Sequence, residues 1–129
     1  VKPVNEKQFR NVVALAAPER FEHFVKVVAD WEVAWALWDD GWALMEDDQA
    51  RQVFPLWPAR EYAEAHCTGE WASYEPKEIS LPDLLDRLLP QFREKGVLSG
   101  IFPTPGGRGV TLPPEQLEAA LRDEMAKYE

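Results

Sequence analysis

The stretch VAWALWDDGWALM, residues 33–45, constrains the fold of this chain more than any other. Two apolar runs flank Asp39-Asp40-Gly41, the composition of a tight turn, and Gly41 can take a positive φ at little cost. The pattern predicts a β-hairpin closed by either a two-residue turn or a three-residue loop. A two-residue turn puts Trp35, Leu37, Trp42 and Leu44 on one face, with Ala36, Trp38, Ala43 and Met45 on the other. A three-residue loop pairs Trp38 with Trp42 beside Ala36 and Leu44, leaving Trp35, Leu37, Ala43 and Met45 opposite. Side chains alternate between faces along a strand, so both faces are apolar in either register. An inner hairpin of this kind must be covered on both sides by the rest of the chain.

The flanking sequence supplies the cover. Asn5 with Gln8 resembles a capping box, and Phe9, Val12, Val13 and Ala16 follow at helical spacing. Pro18 suits the first turn of a second helix, whose stripe Phe21, Phe24, Val25 and Val28 ends near Asp30. VFPLW reads as a strand, an edge one because Pro55 has no N–H to give a ladder. Pro58 opens a helix carrying Tyr62, Ala63 and His66 or Cys67, which Gly69 stops. WASYEPKEIS offers a short strand. Ser80 with Asp83 caps a helix bearing Leu84, Leu85, Leu88 and Leu89, ended or kinked at Pro90. VLSGIFPT and GVTL form a last hairpin around Gly106-Gly107, and Pro113-Pro114 start a helix through Leu117, Leu121, Met125 and Tyr128. The order ααβββαβαββα predicts an α+β fold with a mainly antiparallel sheet built from hairpins. One domain spans residues 1–129, with a helical pair over about 5–31 and the sheet and its helices over about 33–128.

Charge narrows the classes of function. The chain has a net charge of −9, and residues 30–48 hold seven of its twenty-three acids with no Lys or Arg. Clustered cations for phosphate backbones are missing, which argues against nucleic acid as a partner. No apolar run reaches the ~20 residues of a membrane span and no signal-peptide layout opens the chain. A single cysteine, Cys67, fits a reducing compartment. A cytoplasmic protein is the expectation, with no membrane partner.

Several blocks carry a family resemblance. ERFEHFVKVVADWEVAWALWDDGWAL, FPLWPAREYAE, WASYEPKEISLPDLLDRLLP and IFPTPGGRGV together resemble the bacterial family called domain of unknown function 2750, over roughly residues 15–128. That family has no established activity, so the resemblance implies no catalytic residues. The order of hairpin, FPLW, helix and GIFPTP…GVTLPPEQL is similar, at the level of topology, to SseB-type domains. That similarity implies protein binding rather than catalysis, although fold alone does not fix function.

Motifs for chemistry are weak. His66 and Cys67 are neighbours in a predicted helix, where their side chains diverge by about 100° and cannot form a dyad. Three candidate N/S ligands show none of the spacings of a zinc site. PTPGGRG leads into a strand rather than a helix and reads as a hairpin turn, not a phosphate loop. Asp39-Asp40 and Glu46-Asp47-Asp48 lie about 15–20 Å apart along an extended hairpin, too far for one ion. No catalytic residue, cofactor or metal follows from these patterns, and none of them sets an oligomeric state.

The tryptophans remain. Four of the six fall in residues 30–48, and core is the first expectation for most of them. Trp and Tyr also dominate protein interfaces, and an aromatic rimmed by Asp would suit a basic or amphipathic protein partner. Trp38, Asp39, Asp40 and Trp42 are therefore the candidate partner-binding residues. The expected function is a non-catalytic protein-binding module of adaptor, regulatory or immunity-like type. The alternative is a small-molecule-binding domain or enzyme with a Trp-lined pocket and carboxylates.

Overall fold

Residues 3–128 are described by a computed structural model; residues 1, 2 and 129 of the expected domain lie outside the described residues. Asn5 caps α1 (Glu6–Val13), its side-chain oxygen accepting the Gln8 N–H at 2.8 Å. Pro18 sits in the first turn of α2 (Ala17–Trp31), which ends where Glu32 takes a left-handed φ of 60°. The chain continues through β1 (Val33–Trp38), β2 (Met45–Glu46), β3 (Gln52–Leu56), α3 (Arg60–Glu64), a 3-10 turn (Gly69–Trp71) and β4 (Glu75–Ser80). Then come α4 (Leu81–Asp83), a π turn (Leu84–Leu88), α5 (Leu89–Lys95), β5 (Leu98–Ile101), β6 (Val110–Leu112) and α6 (Pro114–Ala126). The order is the one the sequence predicts, in a single α+β domain.

The strand pairing corrects the hairpin. β1 forms its antiparallel ladder with β4, from Val33 opposite Ser80 to Trp38 opposite Glu75. The tight turn still forms, because Asp39 N–H donates to Gly41 O and Ala43 N–H to Leu37 O. Trp38 faces Trp42 as an isolated bridge, the three-residue-loop register. Pairing stops there. β4 offers β1 six consecutive partners, while the chain beyond Leu44 leaves to pair β2 with β3.

The second sheet has the order β2-β3-β5-β6, parallel between β3 and β5 and antiparallel elsewhere. One residue past β3, Trp57 exchanges both backbone hydrogen bonds with Trp35 at 2.9 Å, which ties the two sheets together. β3 is thus an inner strand despite Pro55. Leu56 O accepts from Phe102 N–H, so Leu56 faces β5 and alternation turns Pro55 to the other edge. There β2 stops opposite Val53 and β1 begins its contact opposite Trp57. The missing N–H falls in the gap between them.

Pro90 does not end its helix either. The π turn widens the path by one residue, with Leu89 N–H reaching Leu84 O, and Pro90 falls in the first turn of α5, where a missing N–H is tolerated. Helices α2, α5 and α6 pack together beside the sheet. Phe24, Leu37, Phe54, Leu56, Trp57, Phe102, Leu117 and Leu121 are fully enclosed between them.

The segment between β5 and β6 is held from behind. Phe102 has a φ of 58°, an uncommon state for a bulky side chain. Buried Arg20 donates to three carbonyls, those of Phe102, Leu15 and Arg108, and Trp57 Nε1–H donates to Pro103 O at 2.8 Å. Gly109 is required here, since a Cβ would lie 2.1 Å from Ile101 O. Among the described residues no helix is long and apolar enough to cross a membrane.

Candidate functional site

The turn after β1 brings Trp38, Asp39, Asp40 and Trp42 together. Trp38 is 36% exposed and Trp42 half-buried. Their rings meet edge to face at 4.8 Å and 78°, and Trp42 in turn packs edge to face on the enclosed Phe54 at 5.6 Å. The pair is therefore anchored to the core through one member while the other faces out. Asp39 and Asp40 are exposed. Asp40 holds a left-handed φ of 55°, a state Asp tolerates better than most residues, and Asp39 accepts a hydrogen bond from Ser73 Oγ at 2.7 Å.

Sequence reasoning missed Lys77. On β4, opposite Ala36 and two residues on from Glu75, the residue opposite Trp38, its Nζ lies 4.2 Å from the Trp38 ring centroid and 5.7 Å from that of Trp42. Only the β1–β4 register places it there, and nothing local in YEPKEIS signals that register. A shallow depression of about 230 Å³ beside the pair is bounded by Trp38, Trp42, Lys77, Glu78, Asp83 and Arg87. Glu78 and Asp83 are exposed, and Asp83 meets Arg87 at 3.4 Å.

The rest of the acidic stretch is divided between structure and solvent. Asp47 accepts from the N–H groups of Gln49 and Arg51 and from Arg51 Nε. The Arg51 backbone bond is the main cause holding its carboxyl below the usual range. Asp48 forms a two-pronged pair with Arg108 at 2.6 Å on both oxygens, and that hydrogen bonding lowers its pKa. Arg108 of PTPGGRG is therefore a tie between two loops. Asp30, Glu32 and Glu46 stay exposed, with Asp39 and Asp40.

The core reading of the tryptophans needs correction. None of the four in residues 30–48 is enclosed: Trp31 is 47% exposed, Trp38 36%, and Trp35 and Trp42 are half-buried. The enclosed one is Trp57. Along β1 the smaller side chains Ala34, Ala36 and Leu37 are enclosed while the tryptophans stay partly open, and Lys77 lies over the ring of Trp38.

His66 and Cys67 lie past the end of α3, in a turn rather than in the helix. His66 Nε2 is 3.0 Å from Pro103 O, the carbonyl that Trp57 also engages. Desolvation pulls the His66 pKa down and pushes the Cys67 thiol up, the opposite of an activated nucleophile. Among the described residues no three His, Cys, Asp or Glu side chains converge.

A family model described as Protein of unknown function (DUF2750) matches residues 21–121, and the chain belongs to that family. No curated protein and no solved structure matches the chain, so the likeness in element order to SseB-type domains gains no support.

Proposed function

We propose that this protein is a non-catalytic, cytoplasmic protein-binding module, of adaptor, regulatory or immunity-like type, whose contact surface is the turn bearing Trp38, Asp39, Asp40 and Trp42. The observation that carries the reading is Trp38, an outward indole braced edge to face on Trp42 and flanked by two exposed carboxylates. A large aromatic fixed in place loses little entropy when a partner covers it, and such residues supply most of the binding energy at interfaces. Lys77 over the ring face indicates the chemistry the surface takes, an ammonium or guanidinium laid on indole. The partner is a protein presenting Lys or Arg beside an apolar side chain, and it displaces Lys77 or docks along the open edge of Trp38.

The depression holding Glu78 and Asp83 favours the second reading, a small-molecule site with tryptophan walls and carboxylates. Its carboxylates are exposed, which supports binding over catalysis. Capture from a native lysate at low and high salt tests the first reading when wild type is compared with Trp38→Ala and Asp39→Asn/Asp40→Asn. The partner should be lost with Trp38→Ala and recovered less at high salt. In kinetics the double Asn variant should slow association and flatten its salt dependence, and Trp38→Ala should speed dissociation by about 2 kcal/mol or more. A captured protein that binds all three forms alike would remove the turn from the interface.

A further inference from the structure

We propose that the corner between Trp38 and Trp42 takes a trimethylammonium group, carried on a methylated lysine of the protein partner; this rests on the reading of the turn as the contact surface. A cation already occupies the corner. Lys77 Nζ stands over both indole rings, 4.2 Å from one centroid and 5.7 Å from the other. Lys77 lies opposite Ala36 on β1, and that small neighbour lets its stem lean along the diagonal to Trp38. The side chain is exposed, and among the described residues no carboxylate pairs with its ammonium. The two rings are what the ammonium meets, and a competing cation has only that contact to displace.

Shape and competition narrow the cation. The rings are inclined at 78° with centroids 4.8 Å apart, so the cation over both has two walls. A guanidinium is planar and stacks on one face, whereas a tetrahedral cation rests on both. A plain ammonium from a partner must displace an identical one tethered beside its site, at the high effective concentration of an intramolecular group. That exchange is like for like. An ammonium is also strongly hydrated, and ring faces offer its N–H donors no oxygen. Methylation removes those donors, cheapens the loss of water and lays apolar methyl surface on indole. The methylated head therefore has an advantage over Lys77 that lysine and arginine lack. The depression beside the pair holds about 230 Å³, and ~150 Å³ already admits benzene, a molecule of similar bulk. Arg87 on its rim is turned onto Asp83 at 3.4 Å. Exposed Asp39 and Asp40 on the same turn, in a chain of net charge −9, favour a positive ligand.

The probes are the N-acetyl amides of trimethyllysine, lysine and arginine, together with choline and its uncharged carbon isostere, dimethylbutanol. Each is titrated into the ¹⁵N-labelled protein at constant ionic strength and read at the Trp38 and Trp42 indole N–H signals. Trimethyllysine amide and choline should bind with a Kd of about 5 mM or tighter, and the other probes at least about fivefold more weakly. Trp38→Leu should abolish binding. Lys77→Met removes the resident ammonium and should tighten the trimethyllysine amide by about two- to fivefold, a gain that only a folded corner can show. The proposal is overturned by equal binding of the lysine and trimethyllysine amides, by an isostere that matches choline, or by no gain in Lys77→Met. Absence of saturable shifts up to about 50 mM overturns it as well. Each of those results leaves a basic protein partner standing, to be judged by capture with Trp38→Ala. Choline bound about tenfold tighter than the trimethyllysine amide would also overturn it, since the group would then belong to a free small molecule.

Discussion

The contact between Lys77 and Trp38 is open to a direct energetic measurement. The Nζ stands 4.2 Å from one indole centroid and 5.7 Å from the other, and Lys77 is exposed. A cation–π contact in water-accessible surroundings contributes about 0.5–1 kcal/mol. Lys77→Met keeps most of the aliphatic stem over the ring and removes only the ammonium. Trp38→Leu keeps an apolar side chain at the end of β1 and removes the π face. Urea unfolding of wild type, both single variants and the double variant should give a coupling energy of about 0.5–1 kcal/mol. Part of any loss in the single variants comes from altered packing of β1 on β4, and the cycle cancels it. A coupling energy below about 0.2 kcal/mol would mean that the ammonium merely passes over the ring. The tryptophan pair would then have no demonstrated affinity for cations, and the reading of a basic partner would lose its physical basis. With coupling present, Lys77 competes with a basic partner for the same face. Lys77→Met should then tighten partner binding by the same free energy, about two- to fivefold.

Other consequences follow from buried groups. Arg20→Met should destabilise the fold by about 2–4 kcal/mol in urea melts, because three carbonyls lose a charged donor and the segment after β5 loses its rear support; a loss under about 1 kcal/mol would refute that role. His23 and His66 both have pKa values lowered by burial, so the unfolded chain binds protons that the folded one resists. Stability is fully present above the ordinary value of about 6.5 and should fall as pH drops from 7 towards 5. The urea midpoint of a His23→Gln/His66→Gln variant should be flatter over that window, before the carboxylates titrate. Trp57→Phe should cost about 1–3 kcal/mol, from lost volume and the loss of the indole donor that the Pro103 carbonyl shares with His66, and a neutral result would deny that the indole nitrogen helps hold the segment.

The elements were legible where their signals are local. Asn5 with Gln8, Pro18 and Ser80 with Asp83 each place a helix start through a bond or a ring constraint spanning three or four residues. Strand partners were not, because β1 and β4 meet across about forty residues of intervening chain and no local pattern encodes that register. The turn at Asp39–Gly41 was read correctly and its ladder was not, since turn chemistry closes a turn without obliging the strands beyond it to pair. Pro55 shows a related limit. A missing N–H excludes one hydrogen bond at one edge, and an inner strand accommodates it wherever two neighbours leave a gap. The tryptophans were misjudged because apolar pattern on both faces reports a need for cover without saying what provides it. For Trp38 and Trp42 the cover is partly a lysine stem, which hides apolar surface while its charge stays in water.

The same acidic segment serves two ends, and its residues divide along the chain. Asp47 is committed to Arg51 within the loop before β3, and Asp48 to Arg108, a bond that ties that loop to the one before β6. Neutralising them should alter loop geometry, because each carboxylate accepts the hydrogen bonds that hold it. Among the described residues Asp39 and Asp40 have no arginine partner of this kind, and Asp39 accepts from the Ser73 hydroxyl. An unpaired carboxylate on a protruding turn contributes little to folding and keeps its whole field for approaching molecules. Charge reserved in this way, next to an indole braced from beneath, is the arrangement expected of a surface that meets a cationic partner. The opposite arrangement, with both Asp residues paired inward and Trp38 enclosed like Trp57, would have left the turn with nothing to offer one.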